Sequence, residues 1–225
     1  MYIKIEKSSF KLLSTNNNLK PIELNLKQQS IENLTLFETI KIKDGKIFNL
    51  EFHQNRVNFA FKTLLKNAYP IILKNIIKNY PKYGLYRVKI IYNQSGLIDY
   101  SYYIYKKKDI KKIALVELSN INYNYKYENR ELFNKLYKQL PQFDDFIITQ
   151  NGYLKDTTIA NIALQHKSSQ KWHTPTIPLL RGTTRERYLK DNKLIKKMIH
   201  FQDLKNYSKI ATLNAMVDFN ILKAN

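Results

Sequence analysis

Asn151-Gly152 lies between two apolar, strand-like runs. Both central residues of the tightest β-hairpin turn need a left-handed backbone, and Asn followed by Gly tolerates it best. The dipeptide therefore predicts two antiparallel strands joined by a two-residue turn. One acidic residue, Asp156, follows the turn, ahead of the β-branched run Thr157-Thr158-Ile159. Further on, Gly182-Thr183-Thr184 ends a Pro-containing loop and begins an amphipathic helical pattern with Thr184, Tyr188 and Leu189. A glycine turn that delivers amides and hydroxyls at a helix start is suited to holding a phosphate. A carboxylate and a phosphate cradle together point to a phosphorylated cofactor with a basic nitrogen.

The remaining pattern is mixed. Tyr2 to Ile5 reads as a strand, followed by an Asn-rich turn at Asn16 to Asn18. Leu34 to Ile42 is strand-like, Asp44-Gly45 is a hairpin turn, and Lys46 to Asn49 begins the partner strand. From Glu51 the apolar period becomes helical, through Phe52, Val57, Ala60 and Leu64, to about Lys66. Tyr69-Pro70 stops that helix, and the pattern predicts a second from Ile71 to Lys78. Strands follow at Leu85 to Tyr92 and Leu97 to Tyr105. The charge run Lys106 to Asp109 is the candidate linker. Beyond it the pattern predicts a strand over Lys112 to Leu118, a helix over Glu128 to Leu140 and a strand over Phe143 to Thr149. Further strands fall near Leu194 to Met198 and Lys209 to Leu213, with a short helix near Phe201 to Lys205. The fold class is α+β, divided into an N-terminal α/β domain (residues 1–107) and a C-terminal domain (residues 108–225).

Composition removes several classes of function. The 225 residues contain no cysteine, which excludes disulfides and thiol chemistry and fits a cytoplasmic protein. No apolar run approaches the length of about 20 residues that spans a membrane, and no apolar signal core follows the N-terminus. The four histidines, His53, His166, His173 and His200, form no metal-ligand spacing. The formal charge of +20 has two readings. One is an anionic partner such as nucleic acid. The other is codon bias, because Lys, Asn, Ile and Tyr are the residues an A+T-rich genome favours. The cations are scattered rather than banked on one stripe, and no nucleic-acid-binding motif accompanies them.

Several ordered blocks carry a resemblance: L-F-E-T-I (36–40), D-G-K-I (44–47), H-Q-N-R (53–56), Y-K-Y-E-N-R (125–130), G-Y-L-K-D-T-T-I-A-N-I (152–162), T-P (174–175) and L-L-R-G-T-T-R (179–185). No block is specific alone; in order and at suitable spacing they resemble the class IV aminotransferases. These are the pyridoxal phosphate enzymes of fold type IV, including aminodeoxychorismate lyases and branched-chain and D-amino-acid aminotransferases. The likeness runs from about Leu36 to Ala215. It implies a smaller N-terminal α/β sandwich, a C-terminal pseudo-barrel and a homodimer. The glycine-rich segment that relatives carry before the F-E-T block is missing at Ser30 to Thr35.

The resemblance implies pyridoxal 5′-phosphate as cofactor and assigns roles. Lys126 would be the amine that condenses with the aldehyde and later moves protons. Tyr125 and Tyr127 flank it, so partial desolvation is expected; the alternative is a surface lysine. Asp156 would stand where the family has Glu, as the anion opposite the pyridine nitrogen; the alternative is a solvated turn aspartate. Arg56 would reach the phosphate, with His53 on the same helix face either touching the cofactor or supporting the arginine. Thr183 and Thr184 would add donors to the phosphate, or simply cap the helix. Asn161 would lie near the cofactor, and Arg185 is expected to be structural. On the substrate side stand Glu38, Thr39, Arg87 and Asn214. Arg87, within an apolar strand, needs a carboxylate partner, either the substrate's or an internal one. Asn214 either lines the pocket or forms an ordinary turn.

The implied function is a 4-amino-4-deoxychorismate lyase of folate biosynthesis acting on a small-molecule amino substrate. The alternative on the same scaffold is an aminotransferase for branched-chain, D- or other amino acids. From another class, the charge leaves a non-catalytic basic binding protein.

Overall fold

The computed structural model describes residues 2–6, 9–13, 34–66, 69–118 and 121–222. The Asn16 to Asn18 turn and most of the Ser30 to Thr35 segment lie outside them. The chain forms two compact units, interleaved in sequence. One comprises residues 26–107 and 123–129; the other comprises 1–25, 108–122 and 130–225. Among the described residues, no helix is long and apolar enough to cross a membrane.

The unit built on residues 26–107 has one four-stranded sheet. Its strands are β3 (Leu36–Lys43), β4 (Lys46–Ile47), β5 (Leu85–Asn93) and β6 (Gly96–Ile104), in the order β4-β3-β5-β6. Helix α1 (Leu50–Ala60) continues into a wider π turn over Phe61–Leu65. The second expected helix shrinks to one turn, α2 (Leu73–Ile76). Residues alternate across a strand, so β3 and β5 each present two faces. One face carries Leu36, Ile40, Ile42, Val88, Ile90 and Tyr92 into a core with Val57, Phe61, Leu65 and Leu73. The other face carries Phe37, Thr39, Arg87 and Lys89, with Thr39 opposite Lys89 in the β3–β5 register.

In the second unit, β1 (Tyr2–Glu6), β2 (Ser9–Leu13), β7 (Lys112–Glu117), β8 (Asp145–Gln150) and β9 (Tyr153–Thr157) form a sheet in the order β2-β1-β7-β8-β9. A second sheet has the order β12-β11-β10-β13-β14. Its strands are β10 (Asn161–His166), β11 (Trp172–Pro175), β12 (Ile195–Lys197), β13 (Tyr207–Asn214) and β14 (Asp218–Ile221). Ile113, Leu115, Ile147 and Leu154 from the first sheet meet Ile162, Leu164 and Ile210 from the second in one core. Helices α3 (Glu131–Gln139) and α4 (Thr183–Lys190) belong to this unit, with a short 3₁₀ helix at Phe201–Asn206.

The division differs from the expected one in two places. The first strand pairs with β7, Tyr2 opposite Ala114, so residues 1–25 join the later unit. Lys126 belongs with residues 26–107, because its segment is stitched to β3. Phe37 N–H donates to Lys126 O (2.9 Å), and Glu128 N–H donates to Thr35 O (3.0 Å). Accordingly α3 starts at Glu131 and not at Glu128.

The Asn151-Gly152 turn forms as expected, with φ of +53° and +76°. Glu117 at the end of β7 accepts from both turn amides, at 2.7 and 3.2 Å, and from the Thr149 hydroxyl at 2.7 Å. The His200 ring packs so closely that a Cβ on Gly152 would lie 2.1 Å from its Nε2. Gly152→Ala therefore combines left-handed strain with a displaced ring. A urea unfolding midpoint should show a loss of about 1–3 kcal/mol.

Candidate active site

In the unit built on residues 26–107, Glu38 shares the core face of β3 with Leu36 and Ile40. A carboxylate placed there must be compensated. Arg56, projecting from α1, supplies two parallel bonds: Nε to Oε1 at 2.8 Å and Nη2 to Oε2 at 2.6 Å. His53, one turn earlier and fully buried, lies 2.6 Å from Oε2 through Nδ1. Burial alone would push the Glu38 carboxyl up, but Arg56 and His53 outweigh it and hold it at about 2. Burial pushes His53 down against the pull of Glu38, so its Nδ1–H is the donor to the carboxylate. Glu38, expected on the substrate side, is thus a correction. It is wholly buried, with both oxygens occupied, and orients Arg56. The Arg56 Nη1 edge carries no hydrogen bond among the described residues.

Lys126 is half-buried, as its tyrosine neighbours predict. Its Nζ lies 4.2 Å from the centroid of the Phe37 ring, on the face of the sheet opposite Glu38. Tyr125 is fixed by the Thr63 hydroxyl (2.9 Å) and by stacking on Phe59 at 5.9 Å. Thr39 and Arg87 are on the same face as Phe37. Among the described residues no internal carboxylate pairs with Arg87. Its guanidinium rests over the Tyr103 ring at 5.0 Å, and its buried Nε has no hydrogen-bond acceptor.

In the other unit, Asp156 is 3% exposed, which removes the solvated-turn reading. Its Oδ1 accepts from Asn161 Nδ2 at 2.8 Å and its Oδ2 from the Leu180 amide at 2.9 Å. Asn161 also donates to Leu180 O at 2.8 Å, so strand β10 and the loop before α4 both clamp the carboxylate. No cation pairs directly with Asp156 among the described residues. Burial pushes its pKa up to about 6, against the opposing pull of the Leu180 amide and Asn161. Asn161 itself is locked in place by Gly182, where a Cβ would meet its Oδ1 at 1.9 Å.

The cap of α4 is Gly182, with an extended backbone and no side chain. Thr183 and Thr184 occupy the first helical turn rather than the cap, so plain capping is not the role of Thr184. Its hydroxyl is buried without a partner beside the amides of a helix start. Arg185 is structural, as expected: 2% exposed, bonded through Nη2 to Pro175 O at 2.8 Å and through Nε to the Thr174 hydroxyl at 3.3 Å. Asn214 has a turn role. Its Oδ1 accepts from the amides of Met216 (2.9 Å) and Val217 (3.0 Å) and closes the β13–β14 turn, the ordinary-turn alternative.

The sequence reading missed the Leu180 amide, which no side chain announces. It also missed Lys89, whose signal was available: it shares the alternation of Arg87.

Residues 35–221 match the model of the family described as amino-transferase class IV. An uncharacterized protein of Haemophilus influenzae is 33% identical over 189 residues, 80% of this chain and 97% of that one. A crystal structure from Haemophilus somnus 129pt, provisionally named 4-amino-4-deoxychorismate lyase, is similar at 32% identity and a TM-score of 0.74. It covers 82% of this chain and 97% of its own. The PLP-bound form of a hypothetical aminotransferase from Mycobacterium tuberculosis has a TM-score of 0.70 at 13% identity, over 92% of this chain and 87% of its own. That likeness is one of fold.

The two buried carboxylates respond to pH with opposite sign. The Asp156 contribution to stability is present below pH 3.8 and is lost as pH rises through about 6. The Glu38 contribution is present above pH 4.5 and is lost as pH falls towards about 2. Denaturant unfolding of cofactor-free protein at stepped pH should show Asp156→Asn flattening the first slope and Glu38→Gln the second. A slope between pH 4 and 6 that survives Asp156→Asn would refute the assignment.

Proposed function

The chain belongs to the amino-transferase class IV family, a family of PLP-dependent enzymes, and on that premise we propose that it is a 4-amino-4-deoxychorismate lyase. The substrate would lose pyruvate and leave 4-aminobenzoate. The observation that carries the cofactor assignment is Asp156. A buried carboxylate with two neutral donors and no paired cation is poised to take one from a ligand, and a pyridinium N–H supplies it. Each unit also offers a donor of the kind that holds a phosphate. The open Nη1 edge of Arg56 and the partnerless Thr184 hydroxyl at a helix start are groups that hold a phosphate. Similarity to the Haemophilus somnus protein favours the lyase over the transaminase.

When bound, pyridoxal phosphate supplies an aldehyde that captures the substrate amine and a protonated ring that withdraws electrons. Asp156 keeps that ring nitrogen protonated, and Asn161 and the Leu180 amide keep Asp156 in place. Glu38 fixes the plane of the Arg56 guanidinium, so Arg56 would hold the phosphate without an entropic search. Lys126 Nζ would move the proton at the substrate carbon that bears the amine. Phe37 shelters one side of the Lys126 amine. Arg87 receives a substrate carboxylate, which answers its unmatched Nε. A homodimer is expected from the family resemblance.

Purified protein given 4-amino-4-deoxychorismate should release pyruvate with no amino acceptor present. Lys126→Ala should lower that rate by at least about 10³-fold while the protein still folds. Release of an oxo acid from ordinary amino acids, without pyruvate from aminodeoxychorismate, would replace the lyase by an aminotransferase. Gly182→Ala, whose backbone φ of −72° suits alanine, should weaken cofactor retention by displacing Asn161. Equilibrium dialysis against pyridoxal phosphate checks it.

A further inference from the structure

The face of the four-stranded sheet that carries Arg87 also carries Lys89, two residues along the same strand. Alternation puts both side chains on one side, their Cα atoms about 7 Å apart. The Lys89 Nζ stands 5.6 Å from the centroid of the Phe37 ring, the ring over which Lys126 Nζ stands at 4.2 Å. Two ammonium groups thus converge on one aromatic ring. The Arg87 guanidinium, with its unmatched Nε, stands on the same face. Among the described residues Lys89 pairs with one acid, Glu128, at 3.0 Å. That pair is 30% and 37% exposed, and a pair so wet contributes about 0–1 kcal/mol. An incoming carboxylate can displace it at little cost.

We propose that Lys89 is a second carboxylate reader beside Arg87, so that this face selects substrates bearing two carboxylates over those bearing one. The inference rests on the reading of this face as the substrate side of Lys126. Arg87 grips one carboxylate through its fork, while Lys89 gives up Glu128 and meets the other as a point charge. Their spacing lies within the reach of two carboxylates carried on one small ring. A monocarboxylate leaves Lys89 on Glu128 and gains from Arg87 alone.

The test uses cofactor-saturated protein and titration calorimetry, with isophthalate as the dicarboxylate probe and benzoate as the monocarboxylate. Wild type should bind isophthalate at least about tenfold tighter than benzoate. Lys89→Met should bring that ratio close to unity and leave benzoate affinity unchanged, whereas Arg87→Met should weaken both. Glu128→Gln, which breaks the same ion pair from its other end, should preserve or raise the ratio. A ratio unchanged in Lys89→Met, or no preference in wild type, overturns the inference. The lyase reading is judged apart from it by pyruvate release. A Lys89-dependent ratio in protein that releases no pyruvate upholds the two-carboxylate face and discards the lyase.

Discussion

A carboxylate removed from water must be compensated, and this chain meets that constraint in two ways. Glu38 is compensated from within. Arg56 and His53 surround it, and it stays ionised to about pH 2. Asp156 has only neutral donors, the amide of Leu180 and the side chain of Asn161, and burial lifts it to about 6. The first arrangement is closed and structural. The second is open: among the described residues no cation pairs with it directly. A protonated heterocyclic nitrogen meets that need, and the residues that suit a phosphate are consistent with it.

The same segregation runs through the β3–β5 pair. Glu38 and Phe37 are consecutive, yet alternation sends one into the core and the other to the opposite face. The core side fixes Arg56 through Glu38. The opposite side gathers Lys126, Lys89 and Arg87 around Phe37 and Tyr103. A one-residue slip in the β3–β5 register would exchange these sets, and the apolar partners Leu36, Ile40, Val88 and Ile90 make that slip costly. The cationic face is thus held in register by the hydrophobic core on the other.

Much of this was legible in the sequence where the signal is local. The Asn151-Gly152 turn, the period change at α1 and the helix start after Gly182 all follow from backbone preferences acting over a few residues. The chain-order division at Lys107 was less informative, because Tyr2 pairs with Ala114 and Phe37 with Lys126, contacts that no periodicity encodes. The site residues divide in the same way. Lys126, Asp156 and Arg56 stand out as candidates through their motifs. The buried role of Glu38 depends on which face of β3 it takes, and the turn role of Asn214 depends on two downstream amides. The Leu180 amide is invisible to any reading of side chains.

The proposed chemistry depends on Lys126 being the residue to which the cofactor attaches. The direct measurement is borohydride reduction of pyridoxal phosphate-loaded protein, followed by proteolysis and mass-spectrometric mapping. The cofactor mass is expected on Lys126 and on no other lysine. Its recovery on a different lysine, or on none, would contradict the account.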